Sequence, residues 1–260
     1  MERKHSRKLK ERRGGNTCFW EICLKFDIAC ICLLACLVIS GMGRGEAVRQ
    51  NIIAAVKMQA GTQDGDSQAA GAPQAEKKKV AITFDDGPHP QYTPEMLAGL
   101  KERNVKATFF LLGEEVEKYP ELVKQIHEEG HLIGNHSYKH EQLSKLAMEQ
   151  ACAQVARTNE AIYKLTGTYP SYLRPPFGDW RQELDCKVNM VEVLWDVDTR
   201  DWSIQDHAKI VEKALKDVQE NDIILMHDGY ETSVTAAMEI IDTLQKQGYE
   251  FVTVDEMIFD

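Results

Sequence analysis

Beyond residue 36 this 260-residue chain has only two cysteines, Cys152 and Cys186, and no C-x-x-C spacing. That rules out a disulfide framework as the organising feature of its larger part. Basic residues are also scarce there. Residues 1–45 carry a net charge of +5, whereas the remainder carries −15. Nucleic-acid binding depends on basic surface, so this balance argues against such a partner and reads as solubility instead. No D-x-D pattern or phosphate-cradling glycine loop accompanies the Asp85-Asp86 pair, which disfavours a phosphotransferase. No internal repeat is visible. The longest uncharged apolar stretch, Ile28–Met42, has fifteen residues, short of the roughly 20 needed to span a bilayer.

The N-terminal segment nonetheless reads as a targeting element. Residues 1–13 hold seven Lys/Arg against two Glu, and the apolar stretch follows. A basic flank before an apolar run is the arrangement of a signal peptide or signal anchor. Gly41-Met42-Gly43 offers small residues for cleavage, but no clear A-x-A site exists. Leu33-Leu34-Ala35-Cys36 resembles a lipoprotein box, yet apolar Leu37-Val38-Ile39 follows it. The balance favours an uncleaved anchor over a cleaved, secreted form. It gives a basic cytoplasmic segment at 1–27, a single-pass membrane helix at 28–43 and an extracellular C-terminal part. Residues 44–78 read as a flexible linker, because from Ala60 to Lys79 the chain is rich in Gly, Ala, Gln and Asp. The remaining domain, 79–260, has few cysteines for an exported domain, which suggests a bacterial source that does not rely on disulfides.

From Val80 onward, short apolar runs alternate with amphipathic helical stretches. The strand candidates are Val80–Phe84, Ala107–Leu112, His131–Gly134, Tyr172–Arg174, Met190–Val197, Asp222–Met226 and Glu250–Val254. Thr93-Pro94 reads as an N-cap with Pro at the first helical position, and Pro120 as a second helix start. Gly130, Gly167 and Gly248 read as helix stops. Seven strand–helix units imply a parallel α/β sheet with barrel-like closure. In such barrels chemistry gathers at the C-terminal ends of the strands. Five strand ends carry unusual polar clusters: Asp85-Asp86, NHSYKH (135–140), RPPFG (174–178), DTRDW (198–202) and LMHD (225–228).

Each cluster alone has a plain reading. Asp85-Asp86 before Gly87-Pro88 suits a polar turn, and His136 and His140, four apart, are weak evidence for a metal. Together, two imidazoles and one carboxylate form a ligand set for Zn²⁺ or another divalent ion holding a water. The second carboxylate then stands beside that water as a general base. Arg174 is either a salt-bridge partner that keeps the base ionised or a structural ion pair. Trp202 either walls a pocket or fills the core. His227 is either a satisfied core residue or an acid/base group, whose protonated form an aspartate such as Asp201 would favour.

In this order, TFDDGP (83–88), HSYKH (136–140), RPPFG (174–178), DTRDW (198–202) and LMH (225–227) resemble the five motifs of the polysaccharide deacetylase family, also called carbohydrate esterase family 4. The resemblance covers about Lys79 to Val254. It implies a distorted (β/α)₇ barrel with the active site at the C-terminal ends of the strands. It also implies a metal-dependent hydrolase of N-acetyl groups, with Zn²⁺ as the first expectation and Co²⁺ or another divalent ion as alternatives. By resemblance Asp85 is the base, Asp86, His136 and His140 bind the metal, Arg174 holds Asp85, and Asp201 tunes the acid His227. Phe177, where many members have Tyr, is implied to offer its backbone N–H to the oxyanion. Trp202 and Leu225 are implied to line the acetyl pocket. An anchored, exported deacetylase is expected to act on N-acetylglucosamine units of peptidoglycan. Chitooligosaccharides, N-acetylmuramic acid, exopolysaccharide and acetylxylan are the alternatives, and no protein partner is implied. A non-catalytic sugar-binding module of the same fold is the competing class, but here every motif position is filled.

Overall fold

The computed structural model of the protein describes residues 78–179 and 190–259. The basic segment 1–27, the apolar segment 28–43, the linker 44–78 except Lys78, and Cys186 lie outside the described residues. Cys152 is a half-buried free thiol. None of the described helices is long and apolar enough to cross a membrane. Everything described below belongs to one compact unit, Pro73–Asp260.

Eight strands occur in the described residues: β1 (Lys78–Asp85), β2 (Thr108–Leu111), β3 (Leu132–Asn135), β4 (Tyr172–Leu173), β5 (Val191–Glu192), β6 (Val197–Asp198), β7 (Ile223–His227) and β8 (Tyr249–Phe251). They alternate with helices α1 (Tyr92–Glu102), α2 (Gly113–Lys118), α3 (Pro120–Glu128), α4 (Met148–Thr166), α5 (His207–Asp217), α6 (Glu231–Lys246) and α7 (Val254–Phe259). The spatial order is β5-β4-β3-β2-β1-β7-β6, with β8 paired to β1. All pairings are parallel. The expected α/β barrel is therefore present as a partial barrel, distorted where the path ends at β5 and β6.

Strand alternation decides which side chains reach the barrel interior. On β1, Val80, Ile82 and Phe84 pack outward in the main core with Met96, Leu97 and Leu100 of α1. Ala81 points the other way, into an inner cluster with Phe110, Tyr172, Val193 and Val254. Thr83 and Asp85 continue that inner row. β7 repeats the pattern, with Ile224 and Met226 outward and Leu225 and His227 lining the interior cavity. A short strand thus uses one face to hold helices and the other to deliver polar groups at its C-terminal end.

The seven expected strands all have counterparts, but the fifth, 190–197, is broken into β5 and β6. At the break, a side chain from another strand end takes the strand carbonyls. The carbonyls of Val193 and Leu194 accept hydrogen bonds from Arg174 Nε (3.1 Å) and Arg174 Nη2 (2.9 Å), and the ladder resumes beyond them at β6. Thr93 also departs from expectation. Helix α1 begins at Tyr92, so Thr93 lies inside it; the N-cap residue Gln91 makes no side-chain cap bond, and His89 Nδ1 accepts from the Gln91 and Tyr92 backbone N–H groups at 3.3 Å each. Pro120 does open α3, and α4 ends at Gly167 with φ +73°, a conformation glycine adopts without Cβ strain.

Candidate active site

The side-by-side aspartates are resolved by backbone geometry. Asp85, the last residue of β1, points inward with Thr83. Asp86 has left the strand with φ +73°, which swings its carboxylate toward the same interior. Asp85 Oδ2 lies 3.7 Å and Asp86 Oδ1 3.5 Å from one atom, His136 Nε2. Asp86 Oδ1 is also 3.5 Å from His140 Nε2.

Ligand atoms of Asp86, His136 and His140 all fall within 4.8 Å of one another. His136 Nδ1–H donates to the Arg174 carbonyl at 2.6 Å, which leaves Nε2 with its lone pair toward the carboxylates. The imidazole of His140 is held below its ordinary pKa of 6.5, chiefly by burial, with Asp86 opposing. That favours the neutral, ligating form. Asp86 Oδ1 is buried without a hydrogen-bond partner, a costly state for an isolated anionic oxygen. These features fit a divalent cation bound by the three side chains.

Arg174 is fully buried. Its guanidinium donates from Nη1 to Asp85 Oδ1 at 2.8 Å and to Thr83 Oγ1 at 2.6 Å, and lies 4.2 Å from the centroid of Phe110. Burial pulls its pKa below the ordinary arginine value and Asp85 pushes back. Phe110 needs the space opposite it: a Cβ on Gly134 of β3 would sit 2.4 Å from its ring. Beneath the visible polar cluster there is therefore a fitted stack of Gly134, Phe110, Arg174 and Asp85.

Across the cavity, His227 Nδ1–H donates to Asp201 Oδ1 at 2.8 Å, and the His227 backbone N–H to Asp201 Oδ2 at 2.7 Å. Asp201 is wholly buried and also accepts from Ser233 Oγ at 2.6 Å. Burial opposes protonation of His227. The hydrogen bond and charge of Asp201, with the charges of Asp85 and Asp86, outweigh it and push the imidazole up to about 9.

All of this opens into one cavity of about 410 Å³, a volume in the range of small-ligand sites. Asp85, Asp86, His136, His140, Phe177, Trp202, Leu225 and His227 line it, while Arg174 and Asp201 stand behind it. The structure thus brings all ten residues singled out from the sequence to one place. Phe177 and Trp202 are exposed at its rim, so Trp202 is not a core filler. The turn at Phe177 has φ +63°, and the Phe177 ring packs edge-on against His140 with centroids 4.7 Å apart.

Sequence reasoning missed Thr83, Ser233, Trp195 and Tyr230. Thr83 carried a usable signal: two residues before Asp85 on a strand, it must share its face. Trp195 and Tyr230 line the cavity, and Ser233 meets Asp201 from α6. Nothing local in the sequence marks those three.

A half-barrel of parallel strands carries a carboxylate–imidazole triad, a buried Asp–Arg pair and an Asp–His pair around one cavity, an arrangement suited to metal-assisted hydrolysis. The comparisons with known proteins agree. Residues 72–192 match the family model for polysaccharide deacetylase. A peptidoglycan-N-acetylglucosamine deacetylase of Bacillus cereus is 41% identical over 192 residues, covering 70% of this chain and 68% of that protein. The structure of peptidoglycan deacetylase PdaC from Bacillus subtilis aligns with a TM-score of 0.69 at 41% identity, covering 70% of this chain and 90% of that one. PgdA of Listeria monocytogenes, a peptidoglycan-N-acetylglucosamine deacetylase, is 40% identical over 180 residues, which are 69% of this chain and 39% of that protein. This chain belongs to the polysaccharide deacetylase family, whose members are metal-dependent.

Proposed function

We propose that the protein is a metal-dependent deacetylase that hydrolyses N-acetyl groups of N-acetylglucosamine units in peptidoglycan. The observation that carries this reading is the facing pair Asp85–Arg174 and His227–Asp201 on either side of the Asp86–His136–His140 cluster. Zn²⁺ is the metal proposed first, with Co²⁺ as an alternative; once bound, it supplies polarisation of the acetamide carbonyl and acidification of a water. Asp85, hydrogen-bonded to the Arg174 guanidinium, is the base and takes the proton of the attacking water. The Phe177 backbone N–H offers a donor for the oxyanion. His227, protonated through Asp201, gives its proton to the departing amine. The C–N bond breaks, and acetate and a free glucosamine unit leave. Trp202 and Leu225 bound the space for the acetyl group and sugar face.

A second reading, N-acetylmuramic acid deacetylation, is favoured by the naming of PdaC as a peptidoglycan-N-acetylmuramic acid deacetylase. The two are separated by digesting treated peptidoglycan and identifying which sugar lost acetate. Parallel acetate-release assays on peptidoglycan, chitooligosaccharides and acetylxylan test the substrate class, with peptidoglycan expected to be preferred. Asp85→Asn is expected to lose at least about 100-fold in turnover while still binding Zn²⁺; unchanged acetate release would rule out the base assignment.

The basic flank and apolar run support attachment to the membrane by segment 28–43, with the catalytic unit outside the cell. Fractionation and protease accessibility of intact cells test it. A catalytic unit protected from external protease would refute this topology.

A further inference from the structure

The mechanism leaves one buried carboxylate unused. Asp228 follows His227 at the end of β7, is 1% exposed, and has one oxygen, Oδ1, without a hydrogen-bond partner. Burying such a group costs free energy, so its surroundings should show what the carboxylate does. Oδ2 accepts a hydrogen bond from Thr93 Oγ1. That hydroxyl in turn accepts from the His89 backbone N–H at 2.7 Å. A Cβ placed on Gly87 would lie 2.5 and 2.6 Å from the two Asp228 oxygens, so the backbone next to Asp86 rests directly on this carboxylate. The same loop is tied from its other side, where Gly87 O accepts from Leu112 N at 3.1 Å. Asp86 itself stands at φ +73°, a strained conformation for a non-glycine residue that persists only when its neighbours hold it.

We propose that Asp228, with Thr93, is a positioning pair that fixes the Gly87–His89 loop and thereby aims the Asp86 carboxylate at the metal. Asp228 joins the end of β7, the first turn of α1 and the loop after β1. The acid His227 and the ligand Asp86 are set by one buried group between them. This also accounts for Thr93, which lies inside α1 instead of capping it: its hydroxyl serves the loop, not the helix end. The inference rests on the metal reading above.

Metal affinity is the readout, because an ordinary core contact would alter stability and leave affinity alone. Zn²⁺ competition against a chromophoric chelator is measured on the purified full-length wild type, Thr93→Val, Thr93→Ser and Gly87→Ala. Urea unfolding of the chelator-stripped forms is followed in parallel. Thr93→Val and Gly87→Ala are expected to bind Zn²⁺ about 10- to 100-fold more weakly, as for other groups that orient metal ligands. Thr93→Ser, which keeps the hydroxyl, is expected to restore wild-type affinity. Unchanged Zn²⁺ affinity in Thr93→Val or Gly87→Ala, whatever happens to unfolding, overturns the proposal. Should Thr93→Val fail to fold, Gly87→Ala decides alone. A wild type that binds no Zn²⁺ would instead remove the metal reading on which the proposal stands.

Discussion

At His227, burial and charge pull in opposite directions, and the outcome decides whether it can act as an acid. The hydrogen bond and charge of Asp201 lead the groups that raise it to about 9. A bound cation would offset the negative charge of Asp86, which leaves Asp201 as the influence that endures during turnover. An acid is competent only below its pKa, so activity should fall on the alkaline side as His227 loses its proton. Asp201→Asn removes the charge and offers a weaker partner to Nδ1. The alkaline limb of the kcat profile is therefore expected to move to lower pH by at least about one unit, with the larger rate loss at high pH. A profile that drops uniformly with its limb unmoved would mean that Asp201 serves only to hold the ring.

Between β4 and β7 the sheet loses regularity, and Arg174 stands in for missing ladder bonds. Its guanidinium joins Thr83 and Asp85 on β1 to the carbonyls of Val193 and Leu194. One side chain thus links the inner row of the barrel to its broken edge and holds the base. Replacement by Met would leave Asp85, 3% exposed, buried without its cation. Loss of about 3–5 kcal/mol in urea unfolding is expected, together with loss of activity; a change below about 1 kcal/mol would show that the pair is not structural. The strands were legible because alternation and apolar runs are local signals. The break at Val193 was not, because its cause is a residue 19 positions away using strand carbonyls. Thr93 was misread for a similar reason. Its Ser/Thr-before-Pro pattern suits an N-cap, but its hydroxyl is claimed by Asp228, 135 positions away. The polar strand ends were legible as a cluster, whereas Ser233 and Tyr230 reach the site only through the packing of α6 and the loop before it.

Across the whole chain, the assigned chemistry and the proposed tethering fall in different parts. Every residue assigned a role lies between Thr83 and Ser233, inside the compact unit Pro73–Asp260, whereas the basic and apolar signals lie before residue 43. On the proposed topology, residues 47–77, up to the start of β1, would be a tether with a coil span of roughly 30 Å. Under that proposal its contribution would be to local concentration near the membrane, not to the barrier of the reaction. A fragment of residues 73–260 is expected to release acetate from soluble chitooligosaccharides with the same kcat/KM as the full chain in detergent. In cells, the same fragment exported without residues 1–72 should deacetylate the wall less completely at equal expression, measured by the free-amine content of isolated peptidoglycan. Loss of activity on the soluble substrate would place part of the site before residue 73. Equal wall deacetylation by both forms would mean that the tether does not limit access to the substrate.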